Sequence, residues 1–130
     1  MSEDTNMRRR TLAEFEHRYE DMIGFTPAKI AKRLKLGMEV DPDLLAALED
    51  WRIAALTPKA LDQKTVQLIC FAILLAQTSE AAANHAQAAV RVGATPQELH
   101  ATAGLAALFR GLAAFNLAGE IIEKLLPDSE

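Results

Sequence analysis

The feature of the sequence that most limits the fold is a stretch, residues 70–109, that is almost free of charge. It carries three charged side chains, Glu80, Arg91 and Glu98, although 25% of the whole chain is charged. Alanine and glycine fill much of the remainder, and such small side chains let neighbouring helices approach closely. A chain of 130 residues has little interior in which to bury so much apolar surface. We therefore expect part of this surface to lie against other subunits, and a tightly packed monomeric core is the alternative.

Composition and periodicity both indicate an all-α fold. Half of the residues are hydrophobic but only 5% are aromatic, which suits close helix packing better than a β-sandwich. No segment shows the sustained alternation that predicts a strand. We expect a loose polar segment over residues 1–10 and a single domain over residues 11–130, a compact bundle of about six to seven helices with short connections. The predicted helices, good to about three residues at each end, are 11–23, 27–37, 42–57, 62–77, 79–92, 96–109 and 111–126.

Helix start and stop signals occur at regular intervals along the chain. A cap residue followed by proline appears three times, in Thr26-Pro27, Asp41-Pro42 and Thr95-Pro96. Glu98 stands three residues after Thr95, which is the spacing of a capping box. Gly93 is typical of the residue that closes a helix, and Pro127 marks the end of the last one.

Charge and cysteine content exclude several classes of function. The net charge of -4 gives the chain as a whole no attraction to nucleic acid. The single cysteine, Cys70, excludes a disulfide within the chain, and its apolar surroundings favour a buried structural thiol over a nucleophile. The longest apolar run, residues 68–76, is far shorter than the roughly 20 residues of a membrane helix. The first residues do not resemble a signal peptide, so we expect a cytoplasmic protein that binds neither membrane nor nucleic acid.

His85 is the residue that stands out chemically. On its predicted helix it shares a face, at spacings of three and four, with small and apolar residues: Ala81, Ala82, Ala88, Ala89 and Val92. A buried imidazole needs a hydrogen-bond partner, so a satisfied core histidine is one interpretation of this pattern. A catalytic histidine is the other, because small neighbours leave room beside the ring for a ligand.

Three other polar residues are candidates for a site, each with a structural alternative. Glu80 lies in the first turn of the same predicted helix, where a carboxylate also favours the helix dipole. Arg110 ends the charge-poor stretch, and we expect it to pair with a carboxylate of the protein or of a ligand. Asn116 is an amide in an apolar helix, where it either orients a substrate or bonds a neighbouring backbone. No nucleotide or metal motif is present, so we expect no cofactor and no metal.

Several short segments follow one another in a recognisable order. Ala60-Leu61-Asp62-Gln63-Lys64-Thr65 leads into an apolar helix, and Ser79-Glu80 and Asn84-His85 come next. Arg91-Val92-Gly93-Ala94-Thr95-Pro96-Gln97-Glu98-Leu99 forms a turn, and Phe109-Arg110-Gly111-Leu112-Ala113-Ala114-Phe115-Asn116 enters the last helix. Over residues 61–117 this order resembles the carboxymuconolactone decarboxylase family, and the turn preceded by the histidine is its most specific part.

The resemblance implies a small all-α subunit of the alkyl hydroperoxidase D-like fold, assembled as a homo-oligomeric ring, a trimer or a hexamer. It implies a cofactor-free lyase that removes carbon dioxide from a small cyclic or aromatic-derived carboxylic acid or lactone, in the breakdown of aromatic compounds. His85 would then carry the proton, with Glu80 or Asn116 orienting its imidazole, while Arg110 and Lys64 would hold the substrate carboxylate. A divergent oligomer that binds a small molecule without catalysis is the alternative.

The sequence departs from the family pattern at several positions. Ala113 stands where the family often has proline, and Gln63 and Lys64 stand where basic residues are usual. The alkyl hydroperoxidase D branch has a Cys-x-x-Cys pair shortly before its histidine, and the corresponding positions here are Thr78 and Ala81. Because no disulfide relay forms without those thiols, the sequence disfavours peroxidase chemistry.

Overall fold

A computed structural model describes residues 10–127, and within that range every regular element is an α-helix. Seven helices follow one another: α1 (Leu12–Ile23), α2 (Ala28–Val40), α3 (Pro42–Leu56), α4 (Gln63–Ala76), α5 (Ala82–Arg91), α6 (Pro96–Arg110) and α7 (Leu112–Leu125). The all-α prediction is confirmed, and each helix lies where the sequence predicted one. The largest differences are at the end of α2 and the start of α5. No helix in the described range is long and apolar enough to cross a membrane.

Two of the three predicted cap-proline starts are formed as expected. The Oγ1 atom of Thr95 accepts from the backbone of Glu98, whose carboxylate accepts from the backbone of Thr95, and the Asp41 carboxylate accepts from the backbone N–H of Leu44 at 3.1 Å. The prediction for Thr26 is wrong. Pro27 precedes α2 without a side-chain cap, because the Thr26 hydroxyl donates instead to the carbonyl of Glu16 at 3.2 Å.

Residues with positive φ follow four of the helices: Gly24 after α1, Thr78 after α4, Gly93 after α5 and Gly111 after α6. Gly93 has φ +100° just after α5, as predicted for a closing glycine. After α4 the same conformation falls on Thr78, at φ +50°, while the N–H groups of Thr78 and Ser79 donate to the carbonyls of Leu75 and Leu74. A β-branched residue rarely adopts this conformation, so the turn between α4 and α5 is strained.

The chain divides into two compact units, one ending at Ala55 and one beginning at Leu56. The first unit surrounds a buried carboxylate, Glu49, which is 1% exposed. It accepts hydrogen bonds from the Tyr19 hydroxyl at 2.9 Å and the Arg33 guanidinium at 3.0 Å, and burial raises the pKa of Tyr19. The prediction of one domain over residues 11–130 stays a prediction, and nine of the ten residues of the predicted loose segment lie outside the described range.

The second unit packs α4 against α5 and α6, and α6 against α7. Its core is made largely of alanine, with a few larger side chains between the helices. The buried members include Phe71, Leu75, Ala82, Ala86, Ala89, Leu99, Ala103, Ala114 and Ala118. Part of the charge-poor stretch therefore forms this core.

Another part of the charge-poor stretch reaches the surface at the corner between α6 and α7. Leu105, Leu108, Phe109 and Leu112, here called the corner patch, are 63%, 73%, 88% and 75% exposed. Large apolar side chains grouped in this way are typical of a surface that another protein covers. The predicted contact with other subunits stays a prediction.

Candidate functional site

His85 lies in the middle of α5 and is half-buried. Ala82, Ala86 and Ala89 on the same helix are completely buried, so this side of α5 packs closely on its neighbours. His85 is one turn after Ala82 and one turn before Ala89, which places the imidazole at the margin of the packed side. Completely buried alanines thus lie one turn to either side of His85 on α5.

The imidazole is bonded to a residue that sequence reasoning missed. Gln67, on α4, is 1% exposed, and its Oε1 atom lies 2.7 Å from the Nδ1 atom of His85. The signal was present, because Gln67 is the one amide in the apolar run of residues 66–76. Like His85 and Asn116, Gln67 is a lone polar side chain in an apolar helix, and this is the signal by which it could have been found.

Glu80 lies in the turn before α5, two residues ahead of the helix, and its side chain is exposed. Its carbonyl accepts from the N–H of Ala83 at 3.1 Å. Asn116 is also exposed, on α7. It follows Phe115, whose ring lies 5.1 Å from that of His100. The Nδ1 contact that the structure shows comes from Gln67, and the orienting roles of Glu80 and Asn116 stay predictions.

Arg110 is the last residue of α6, and its Nε atom donates to the carbonyl of Ala76, at the end of α4, at 2.7 Å. Among residues 10–127 its partner is thus a backbone carbonyl and not a carboxylate. The arginine also places a cation at the C-terminal end of α4, where it complements the helix dipole.

Lys64 lies in the first turn of α4, and its ammonium group is 2.8 Å from the carboxylate of Glu98. The hydrogen bond raises the pKa of Lys64 and lowers that of Glu98. The pair links the start of α4 to the start of α6. Both side chains are slightly more than a third exposed, so a carboxylate from solution can reach the ammonium group.

Of the two predicted cations, Lys64 lies at the start of α4, and Arg110, on α6, is bonded to the end of α4. Ala76, which anchors Arg110, follows Lys64 by twelve residues, or about 18 Å along a helix. Gln67 is one turn from Lys64 and nine residues from Ala76. Lys64 is therefore the predicted cation nearer to the His85–Gln67 pair, and the structure does not bring Arg110 to that pair.

An open depression elsewhere, on α1, is lined by Ala13, Glu14, Glu16, His17 and Glu20. Its three carboxylates would repel an acidic substrate. Within the described residues, no group of three or more His, Cys, Asp or Glu side chains is placed to hold a metal ion. The His85–Gln67 pair, with Lys64 one turn away, is therefore the best candidate site.

Comparison with known proteins identifies the family of the chain. The model of the carboxymuconolactone decarboxylase family matches residues 42–124, a range that contains all of the predicted site residues and Gln67. A search of the curated proteins found no match, and neither did a search of the solved structures. Because the match covers more than half of the chain, the chain belongs to the carboxymuconolactone decarboxylase family.

Proposed function

We propose that the protein is a cofactor-free lyase that decarboxylates a small cyclic or aromatic-derived carboxylic acid or lactone, with His85 as the proton carrier. Membership of the family supports a relation to decarboxylases. The observation that carries the proposal is the half-buried imidazole of His85, bonded through Nδ1 to a buried amide, with buried alanines one turn to either side on its helix.

The site must supply a proton, apolar surroundings for the departing carboxylate and a cation for the acidic substrate. The bond between the ring carbon and the carboxylate carbon breaks, carbon dioxide leaves, and the electron pair moves into the conjugated system. A proton from the His85 imidazolium then forms a new C–H bond, and water returns a proton to the imidazole. Apolar surroundings favour loss of charge from the departing carboxylate, and the alanines of α5 supply such surroundings.

A cation is needed to hold the acidic substrate, and we assign this role to Lys64. The substrate would compete with Glu98 for the ammonium group, because the two carboxylates need the same charge. Lys64→Met should therefore raise KM about tenfold, the lower end of the value of a hydrogen bond to a charged group. Glu98→Gln keeps the capping box and removes the competing charge, so it should lower KM.

Arg110 serves as the comparison for this assignment, because it is the other cation predicted to hold the substrate. Arg110→Met should change KM less than Lys64→Met does. The reverse order, with no effect of Glu98→Gln, would contradict the role of Lys64 and support Arg110.

The direct test of activity is carbon dioxide release from carboxymuconolactone and from a short panel of related unsaturated lactone acids and keto acids. The wild-type protein should release carbon dioxide from at least one of them, and His85→Asn should lower turnover by at least about 10²-fold. Release at the uncatalysed rate from the whole panel would contradict a lyase of this substrate class.

A non-catalytic small-molecule binder is the second candidate, and one observation favours it. The bond from Gln67 satisfies the His85 ring as a structural histidine would be satisfied. In that case His85→Asn lowers the thermal midpoint, and calorimetry detects binding of panel members that are not turned over.

We also propose that the protein is a homo-oligomer, a trimer or a hexamer, whose interface includes α4 and α6. The corner patch supports this, as do the exposed Ile69 and Ile73, one turn apart on α4. Light scattering at micromolar concentration should give a multiple of the 14.2 kDa chain mass, and Phe109→Glu should lower it. A monomer mass for the wild type would refute the assembly.

A further inference from the structure

We propose that Gln67 is a positioning residue that fixes the His85 imidazole as the Nδ1–H tautomer and thereby assigns proton exchange to Nε2. The assignment of Nε2 to the reaction rests on the proposed lyase function, whereas the tautomer does not. The Nδ1 atom of His85 is 2.7 Å from the Oε1 atom of Gln67, and a carbonyl oxygen accepts hydrogen bonds but cannot donate them. The proton of that bond therefore belongs to Nδ1.

The burial of Gln67 makes this bond a constraint on the ring. The amide side chain is 1% exposed and lies beside Val66 and one turn from Phe71, both buried. Removing the hydrogen bond from His85 to the amide oxygen would cost free energy, because little water reaches that oxygen. A neutral ring protonated on Nε2 has no hydrogen on Nδ1 and could not donate this bond. The site therefore favours the Nδ1–H tautomer, which is uncommon in free histidine.

The chemical class of the partner matters as much as its position. A carboxylate at position 67 would stabilise the imidazolium and weaken it as an acid, whereas an amide adds no net charge. The Nε2–H of the imidazolium formed at this site is accordingly a stronger proton donor. A strong donor suits the transfer of a proton to carbon.

The ionisable groups on the elements that pack around the pair include Glu80, exposed in the turn before α5, and Glu98 and His100 in the first half of α6. On α4 the ones within a turn of Gln67 are Lys64, whose charge is paired with Glu98, and Cys70. On α5 the only charged side chain is Arg91, which is exposed at its end. The ionisable residues of α7, which also packs against α5, are all exposed: Glu120, Glu123 and Lys124.

The test is two-bond ¹H–¹⁵N correlation NMR of the histidine rings in the full-length protein, above the pH at which His85 titrates. The chain has three histidines, and the signals lost in His85→Asn assign the ring of interest. Nδ1 should show the shift of a protonated nitrogen and Nε2 that of an unprotonated one. The opposite pattern would overturn the proposal whether or not the protein is a lyase.

Two variants sharpen the test. Gln67→Glu should keep the Nδ1–H tautomer and raise the pKa of His85 by about 1 to 3, whereas Gln67→Leu should restore the Nε2–H form. Gln87→Leu is the matched control, because Gln87 is a partly buried glutamine on α5 itself, and it should change neither property. A Gln67→Glu protein with an unchanged His85 pKa would contradict the role of Gln67. Should a Gln67 variant fail to fold, the wild-type spectrum still decides the tautomer.

The positioning role and the lyase function fail in different ways. A wild-type Nδ1–H tautomer with full turnover in His85→Asn would refute the proton carrier and leave the position of Gln67 correct. If the positioning role and the lyase function are both correct, Gln67→Leu should lower kcat more than it changes KM. The proton of the neutral imidazole is then on the wrong nitrogen, while the cation that holds the substrate is intact.

Discussion

The two compact units each bury one polar side chain among the described residues, and they use it differently. In the first unit, Glu49 is held by Tyr19 and Arg33, so a carboxylate joins elements that are far apart in sequence. In the second unit, Gln67 contacts the half-buried His85 of an alanine-lined helix. Buried polarity links helices in the first unit, whereas in the second unit it contacts the residue for which we propose a chemical role.

The largest expected effect comes from removing the buried carboxylate of the first unit. Glu49→Ala should lower the free energy of unfolding by about 2–3 kcal/mol, below the usual 3–5 because Arg33 is partly exposed and can regain water. Asp50→Ala is the control. That neighbouring carboxylate pairs with Arg10 and Arg18 but is 54% exposed, so about 1 kcal/mol or less is expected. Denaturant unfolding measures both, and equal losses would contradict the structural role assigned to Glu49.

A second prediction concerns the packing of the second unit. Ala86→Leu should destabilise the protein by about 1–3 kcal/mol, because Ala86 is completely buried between helices and the added carbons have no space. Ala83→Leu introduces the same atoms on the exposed side of α5 and should cost little. If thermal unfolding shows both variants to be equally stable, the alanine core is looser than the structure implies.

A smaller effect is expected at the strained turn after α4. Thr78 has φ +50°, and glycine adopts that conformation without a steric penalty. Thr78→Gly should therefore stabilise the protein by up to about 1 kcal/mol, whereas Gln77→Gly, at the preceding right-handed position, should destabilise it. The free energies of unfolding of the two variants, measured by chemical denaturation, separate the relief of backbone strain from the added entropy of the unfolded chain.

The smallest effect is the acid dependence of the link between α4 and α6. The hydrogen bond from Lys64 lowers the pKa of Glu98, so the stabilisation from this carboxylate is present above its unfolded pKa. It is lost as the pH falls through the lower folded pKa. NMR titration of the Glu98 carboxyl should give a midpoint below the ordinary glutamate value, and Lys64→Met should raise it. A midpoint unaffected by that substitution would show that the ion pair does not form in solution.

Most of the fold was predictable because its signals are local. Proline, the cap residues Asp41 and Thr95, and Gly93 mark helix ends through contacts with near neighbours in the chain. Thr26 failed because a carbonyl on α1 competes for its hydroxyl, and a competitor ten residues away is not visible in a local pattern.

The site was predictable only in part. The spacing of small apolar residues around His85 singled it out in the sequence, but its partner depends on how α4 and α5 are rotated against each other. The same holds for Arg110, whose bond to Ala76 joins residues 34 positions apart. Sequence spacing gives the face of one helix and not the face of the helix opposite. Lys64 and Arg110 were therefore grouped, although Lys64 is at the start of α4 and Arg110, on α6, is bonded to the end of α4.

The central claim is that His85 carries out chemistry while Glu49 maintains structure. Turnover and thermal midpoint measured on the same sample of His85→Asn test it most directly, with the best substrate of the lactone and keto-acid panel. The proposal predicts a loss of turnover of at least about 10²-fold, with the oligomer folded and its midpoint little changed. Full turnover per folded subunit with a lowered midpoint would contradict it and make His85 a structural residue.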